Sequence, residues 1–200
     1  MAAELTSQYR VQVDTFGLDV RSRKAVDDLI TGNPRVFNSV HVLINNAGLA
    51  RGREPIQDEN PDDWDEVIDT NVKGLLYVTR ALLPSLIARS ASGKSHVVNI
   101  GSVAGHWTYP NGAVYCASKY AVRALTEAMR MDLHGSGVRV TEISPGMVEN
   151  EFSAVRFPGD PARAKAVYEG VECLKPEDIA ETVLWCVQRP KHVNVQELII

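Results

Sequence analysis

The chain has 200 residues, of which 44% are hydrophobic and 23% charged, and a formal net charge of −4. This is the size of one domain and an ordinary globular composition. Mild acidity gives no electrostatic reason to expect nucleic acid or membrane as a partner, and no apolar run approaches the length of a span.

In chain order, residues 1–7 read as the tail of a helix. A strand is expected over 11–18, running into Asp19-Val20. Residues 21–30 make a short amphipathic helix with Ala25, Val26, Leu29 and Ile30 on one stripe, and Gly32-Asn33-Pro34 ends it. The unbroken apolar run over 40–44 predicts a strand covered on both faces. It opens into Asn45-Asn46-Ala47-Gly48, residues small enough for a ligand to approach the backbone. Asn60-Pro61 starts a helix reaching residue 89, with Asn as cap and Asp62, Asp63 and Asp65 at the positive end of the dipole. Asn71 in its middle is a poor helix former, and Pro84 is expected to kink or locally unravel it. A polar turn over 90–95 precedes a buried strand over 96–100 and an Ala-rich helix from about 112. A strand over 138–143 leads into Ser144-Pro145-Gly146, helices follow over 160–170 and 176–188, and a last strand covers 195–200. Strands alternating with helices predict an α/β fold: one domain over 1–200, a three-layer, doubly wound parallel sheet with right-handed connections.

The chemistry concentrates between Asn99 and Lys119. Tyr115 and Lys119 are four apart on a helix and share a face. Ser102, thirteen positions before the tyrosine, sits at a strand exit, where open α/β sheets place their ligands. A tyrosine hydroxyl titrates near about 10, too high for proton transfer at neutral pH, and an ammonium one turn away favours the phenolate. Such a tyrosine can give a proton to a carbonyl oxygen or take one from an alcohol, while a facing serine holds the same oxygen. The missing hydride calls for a nicotinamide cofactor. Helices carry many Tyr-x-x-x-Lys pairs on solvated faces, so the pair gains meaning from the serine and from the rest of the chain. Three scattered cysteines (Cys116, Cys173, Cys186) suit a reduced, cytoplasmic protein, and five histidines without ligand spacing give no reason to expect a metal.

Asp19-Val20, Asn-Asn-Ala-Gly ending at Gly48, Asn71 in D-T-N-V-K-G, Ser102 in N-I-G-S, Tyr115-x-x-x-Lys119 and Pro145-Gly146 occur in the order and spacing of the short-chain dehydrogenase/reductases, which this chain resembles over nearly its whole length. G-H-W-T-Y-P, E-F-S-A-V-R-F and R-P-K-H-V-N-V-Q-E-L look like the branch that uses NADP to oxidise 3-hydroxy acids and L-serine and to reduce malonic semialdehyde. The resemblance implies that Tyr115 is the acid/base, that Lys119 lowers its pKa and holds the nicotinamide ribose, and that Ser102 binds the substrate oxygen. It implies that Asn71 links a water to Lys119 in a proton relay. Asp19 and Val20 would contact the adenine, Asn46, Ala47 and Gly48 the ribose, and Pro145, Gly146 and Val148 the nicotinamide. It also implies a homo-oligomer, dimer or tetramer. NADP rests on branch resemblance alone, so NAD stays open.

Arg156 in A-V-R-F is a candidate partner for a substrate carboxylate, with a plain surface arginine as the competing reading. His106, Trp107 and Tyr109 either wall the pocket or pack as core. The family's Gly-rich phosphate turn and its first two strands have no counterpart here, so the chain is expected to lack about thirty-five residues at the front and some at the back. The four strands from residue 40 onward would still pair with one another, leaving the first as an apolar edge. A second function class follows from that: a catalytically silent partner of full-length relatives, distinguished by failure to bind NADPH.

Overall fold

The computed structural model describes residues 2–200. Its sheet has four parallel strands in the order β1 (Val42–Asn45), β2 (His96–Ile100), β3 (Arg139–Ser144) and β4 (Glu197–Ile199). Helices α1 (Ala2–Tyr9), α2 (Arg23–Gly32) and α3 (Pro34–Phe37) precede β1. Between β1 and β2 lie α4 (Pro61–Ile68) and α5 (Leu75–Arg89), joined by a π-helical turn over Asp69–Gly74. Helix α6 (Ala113–Asp132) links β2 to β3, and α7 (Phe152–Arg156), α8 (Pro161–Ala166) and α9 (Pro176–Val187) precede β4.

Burial follows strand position. The central strands β2 and β3 are buried almost throughout, whereas β1 and β4 are only partly covered. Alternating residues of β2 and β3 enter two cores. Val97 and Val140 join Leu43, Leu82 and Leu86 on the side of α5. Val98 and Ile143 join Val183 and Cys186 of α9 on the other. The sheet is thus the middle of three layers, as expected for side chains that alternate across a strand.

Two expectations fail. Residues 10–18 form no strand; they run irregularly and are largely exposed. Extended backbone needs a neighbouring strand for its N–H and C=O groups. β1 ends the described sheet at this side, with Ile44 47% exposed. Phe16 anchors the segment instead, its ring 5.4 Å from that of Phe37. Secondly, the local unravelling expected as one outcome at Pro84 does not occur, since α5 runs through it. Pro84 and Arg80 are both exposed, so the carbonyl released by the missing N–H faces water. The helix is irregular instead at the π turn that carries Asn71. Among the described residues, no helix is long and apolar enough to cross a membrane.

Candidate active site

The site lies where β1, β2 and β3 end. β2 delivers Ser102 two residues beyond its last member, and the serine hydroxyl accepts from the N–H of Ala104 at 3.1 Å, starting a short 3-10 turn. Helix α6 begins after Asn111, which takes a left-handed conformation (φ 61°), one that Asn tolerates better than most residues. Gly112 follows because a Cβ there would sit 2.2 Å from the ring of Tyr109. The first turns of α6 then present Tyr115, Ser118 and Lys119 inward.

Tyr115 is within hydrogen-bonding reach of Ser102, so the predicted pair does share one site. Its ring stands edge-on to Phe152 at 5.6 Å, with the Arg156 guanidinium 5.9 Å from its centroid. Burial pushes the phenol up to about 12; the hydrogen bond from Ser102 and the charge of Arg156 pull it down, and Tyr109 pushes with burial. The expected acidification by Lys119 gives way to these effects. Lys119 Nζ is 5.8 Å from the tyrosine ring centroid and donates to the carbonyl of Ile100 at 2.9 Å. Burial itself pushes the ammonium down to about 8, against the pull of Glu142. The phenol therefore stays protonated at neutral pH, the form needed to donate.

Asn71 is 2% exposed and its amide group is fully engaged. Its oxygen accepts from Leu49 N–H, and its nitrogen donates to Leu49 C=O and to Ser118 Oγ, at 2.8, 2.8 and 3.0 Å. The side chain thus holds the loop after β1 as a neighbouring strand would, and the π turn lets it reach there; single π turns recur at functional sites. Gly48 lies in the same corner: a Cβ there would be 3.3 Å from Asn71 Oδ1 and 3.7 Å from Lys119 Nζ.

The remaining predicted residues divide. Pro145 is buried, and its carbonyl accepts from Val103 N–H at 3.0 Å and faces Ser102 Oγ at 3.5 Å. Gly146 pairs with Ile200, and Val148 bridges to Leu174. Asn46 and Ala47 are exposed at the end of β1. Asp19 and Val20 sit elsewhere, against the π turn: Val20 Cγ2 would be 2.7 Å from a Cβ at Gly74, and the Asp19 carboxylate is taken by Arg21. Arg156 is no loose surface arginine. It donates to Gly52 C=O at 2.6 Å and Tyr109 Oη at 3.1 Å, while Gly52 N–H returns a bond to Arg156 C=O. Of the three aromatic candidates only Tyr109 faces the site. Trp107 is 62% exposed, and His106 turns towards Glu197.

Sequence reasoning missed Phe152, Ser118, Glu142 and a buried amide chain in which Asn45 donates to Thr79 and Asn99, and Asn99 to Thr126. One signal was available for Glu142: a carboxylate in the middle of an otherwise coverable strand, R-V-T-E-I-S.

A family model described as short chain dehydrogenase matches residues 1–160. The NADP-dependent 3-hydroxy acid dehydrogenase YdfG of Salmonella typhi is 48% identical over 182 residues, which are 90% of this chain and 72% of that protein. Sulfoacetaldehyde reductase 2 of Chromohalobacter salexigens is 49% identical over 196 residues, 98% of this chain and 77% of that one. The closed form of a serine dehydrogenase complexed with NADP+ superposes with a TM-score of 0.92 at 43% identity, covering 100% of this chain and 79% of that one.

Proposed function

This chain belongs to the short-chain dehydrogenase family, and from that premise we infer that it is an NADP-dependent oxidoreductase acting on the CH–OH group of a small anionic substrate, a 3-hydroxy acid of the L-serine or 3-hydroxypropionate/malonic semialdehyde type. One observation carries the substrate class: the guanidinium of Arg156, fixed by Gly52 and Tyr109, stands 5.9 Å from the ring of the tyrosine that faces Ser102. A carboxylate on that guanidinium puts a neighbouring carbinol within reach of the two hydroxyls. The substrate in the name of the sulfoacetaldehyde reductase relative likewise bears an anionic group, one methylene from its aldehyde carbon.

The residues fit the nicotinamide end of NADP. A Cβ at Gly48 would press on Asn71 Oδ1 at 3.3 Å, so bare backbone suits this corner, and Lys119 has ammonium hydrogens beyond the one given to Ile100. Asn46, Ala47 and Gly48 would line the ribose, Pro145, Gly146 and Val148 the nicotinamide, and Asp19 with Val20 the adenine. NADP, when bound, supplies or accepts the hydride. In the reducing direction Ser102 holds the carbonyl oxygen, Tyr115 gives it the phenolic proton, and Lys119 stabilises the phenolate left behind. Asn71 keeps the loop after β1 in register with α6, where a water would pass the next proton to Lys119. In the oxidising direction the same groups run in reverse. One domain, a cytoplasmic location and a dimer or tetramer complete the reading.

Arg156→Ala tests it. Turnover of L-serine should fall about 10- to 100-fold, the weight of a charge-assisted bond, with little change for a small uncharged alcohol. Equal losses on both substrates reject the carboxylate role. Tyr115→Phe should lower kcat on either substrate by about 10²- to 10⁴-fold without weakening NADPH fluorescence on binding.

A further inference from the structure

A buried cluster lies beside Lys119, on the face of the sheet that Glu142 shares with Val140. Glu142 on β3 and Glu197 on β4 are register partners on adjacent parallel strands, so both carboxylates point to the same face. Glu142 is 1% exposed. The hydroxyl of Ser144, also fully buried, lies 3.0 Å from Glu142 Oε1 and 3.4 Å from Glu197 Oε1 and so stands between them. A Cβ at Gly101 would come within 2.1 Å of Glu142 Oε1, so the strand exit beside Ser102 is shaped around this carboxylate.

The imidazole of His106 completes the group. Its side chain is 8% exposed, and Nε2 lies 2.6 Å from Glu197 Oε1 without making a well-directed hydrogen bond. One ligand atom from each of His106, Glu142 and Glu197 can be chosen so that all lie within 4.8 Å of one another. Two carboxylates side by side in a low-dielectric interior require positive charge between them. Burial, with Glu197 adding to it, pushes the Glu142 carboxyl up, while His106 and Lys119 oppose that push. Nitrogen-oxygen-oxygen donor sets suit Zn²⁺ and its neighbours, at metal–ligand distances of about 2.0–2.2 Å. Tetrahedral ligands at those distances stand about 3.4 Å apart, so His106 Nε2 and Glu197 Oε1, 2.6 Å apart, would open slightly by small side-chain rotations as the third ligand settles. Ser144 would then orient both carboxylates as an outer partner.

We propose that His106, Glu142 and Glu197 form a binding site for one divalent transition-metal cation, Zn²⁺ being the best match. The site joins β4 to β3 and to the turn after Ser102, so its occupant fastens the last strand to the active-site corner. Its test does not use turnover, so it can fail without touching the hydride reading.

The test uses the full chain, stripped by a chelator and then titrated with Zn²⁺ by equilibrium dialysis, with melting temperature and the visible absorption of the Co²⁺ form read in parallel. The expected result is one Zn²⁺ per chain, a raised melting temperature and a Co²⁺ ligand-field band. His106→Ala and Glu197→Gln should each weaken binding by at least about 10-fold, and Ser144→Ala by about 10-fold. Should His106→Ala misfold, the partly exposed Glu197 gives the milder variant on the same site. Three results overturn the proposal: no saturable Zn²⁺ binding by the wild type, binding unchanged in both ligand variants, or a metal-free protein that acidification stabilises while Zn²⁺ adds nothing. The last would mean that the two carboxylates share a proton instead.

Discussion

The two ends of the sheet bury charge with equal thoroughness and to opposite ends. At the amino end of β3, Arg139 is 5% exposed, and its two terminal nitrogens donate to four carbonyls: Cys186, Val187, Arg189 and Val193. It caps the end of α9 and ties the following loop to the sheet. Close to the other end Lys119, 7% exposed, donates to the single carbonyl of Ile100 and its ammonium is pushed down to about 8. A buried cation with several acceptors holds structure together. One left short of partners at the carboxyl ends of the strands has hydrogens to offer a ligand.

Replacing each cation by methionine should separate the two cases. Arg139→Met takes this donor from four carbonyls, of which Cys186 C=O keeps the Arg189 N–H, and should lower stability by about 3–5 kcal/mol in urea unfolding. A loss under about 1 kcal/mol would show that the guanidinium is not what holds α9. Next in size is an acid effect at the same end. His96 is fully buried against Thr141, and burial with the Arg139 charge lowers its pKa to about 4. The unfolded chain therefore takes up this proton first. Stability should be complete above pH 6.5, decline as pH falls towards 4, and lose about 3 kcal/mol in all. His96→Gln should flatten that part of the profile; an unchanged slope would place the acid sensitivity elsewhere.

The smallest effect has the opposite sign. Lys119 has a folded pKa below its unfolded one, so its burial weakens the fold below about pH 8, and this weakening disappears as pH rises towards 10.5. Lys119→Met removes about 3 kcal/mol of that burden and leaves Ile100 C=O without its donor, at about 1–3 kcal/mol. The net gain should be about 1 kcal/mol, or roughly 2–4 °C in Tm at neutral pH, with turnover lost. A variant that melts lower than the wild type would mean that the lysine earns its place structurally.

The same contrast explains what could be read without coordinates. The Ser102-Tyr115-Lys119 grouping was legible because strand exit and helix periodicity are local, and four residues along a helix always share a face. The strands over β1, β2, β3 and β4 were legible to within two or three residues from their apolar runs. The segment over 10–18 misled because its composition suits a strand, yet a strand exists only where another chain segment accepts its backbone bonds. Unravelling at Pro84 does not follow from the residue alone, because its effect depends on whether the freed carbonyl faces water.

By itself the order of residues determined the α/β alternation, the Ser102-Tyr115-Lys119 grouping and the loops that surround it, all of them consequences of spacing along one element or its exit. Tertiary structure alone decided that Asn71 would pair with Leu49, that Arg156 would be clamped beside Tyr115, that burial would outweigh Lys119 in setting the phenol, and that His106, Glu142 and Glu197 would meet. Each of these joins residues distant in the chain. Their distances, and the dielectric between them, exist only once the sheet and its helices have packed.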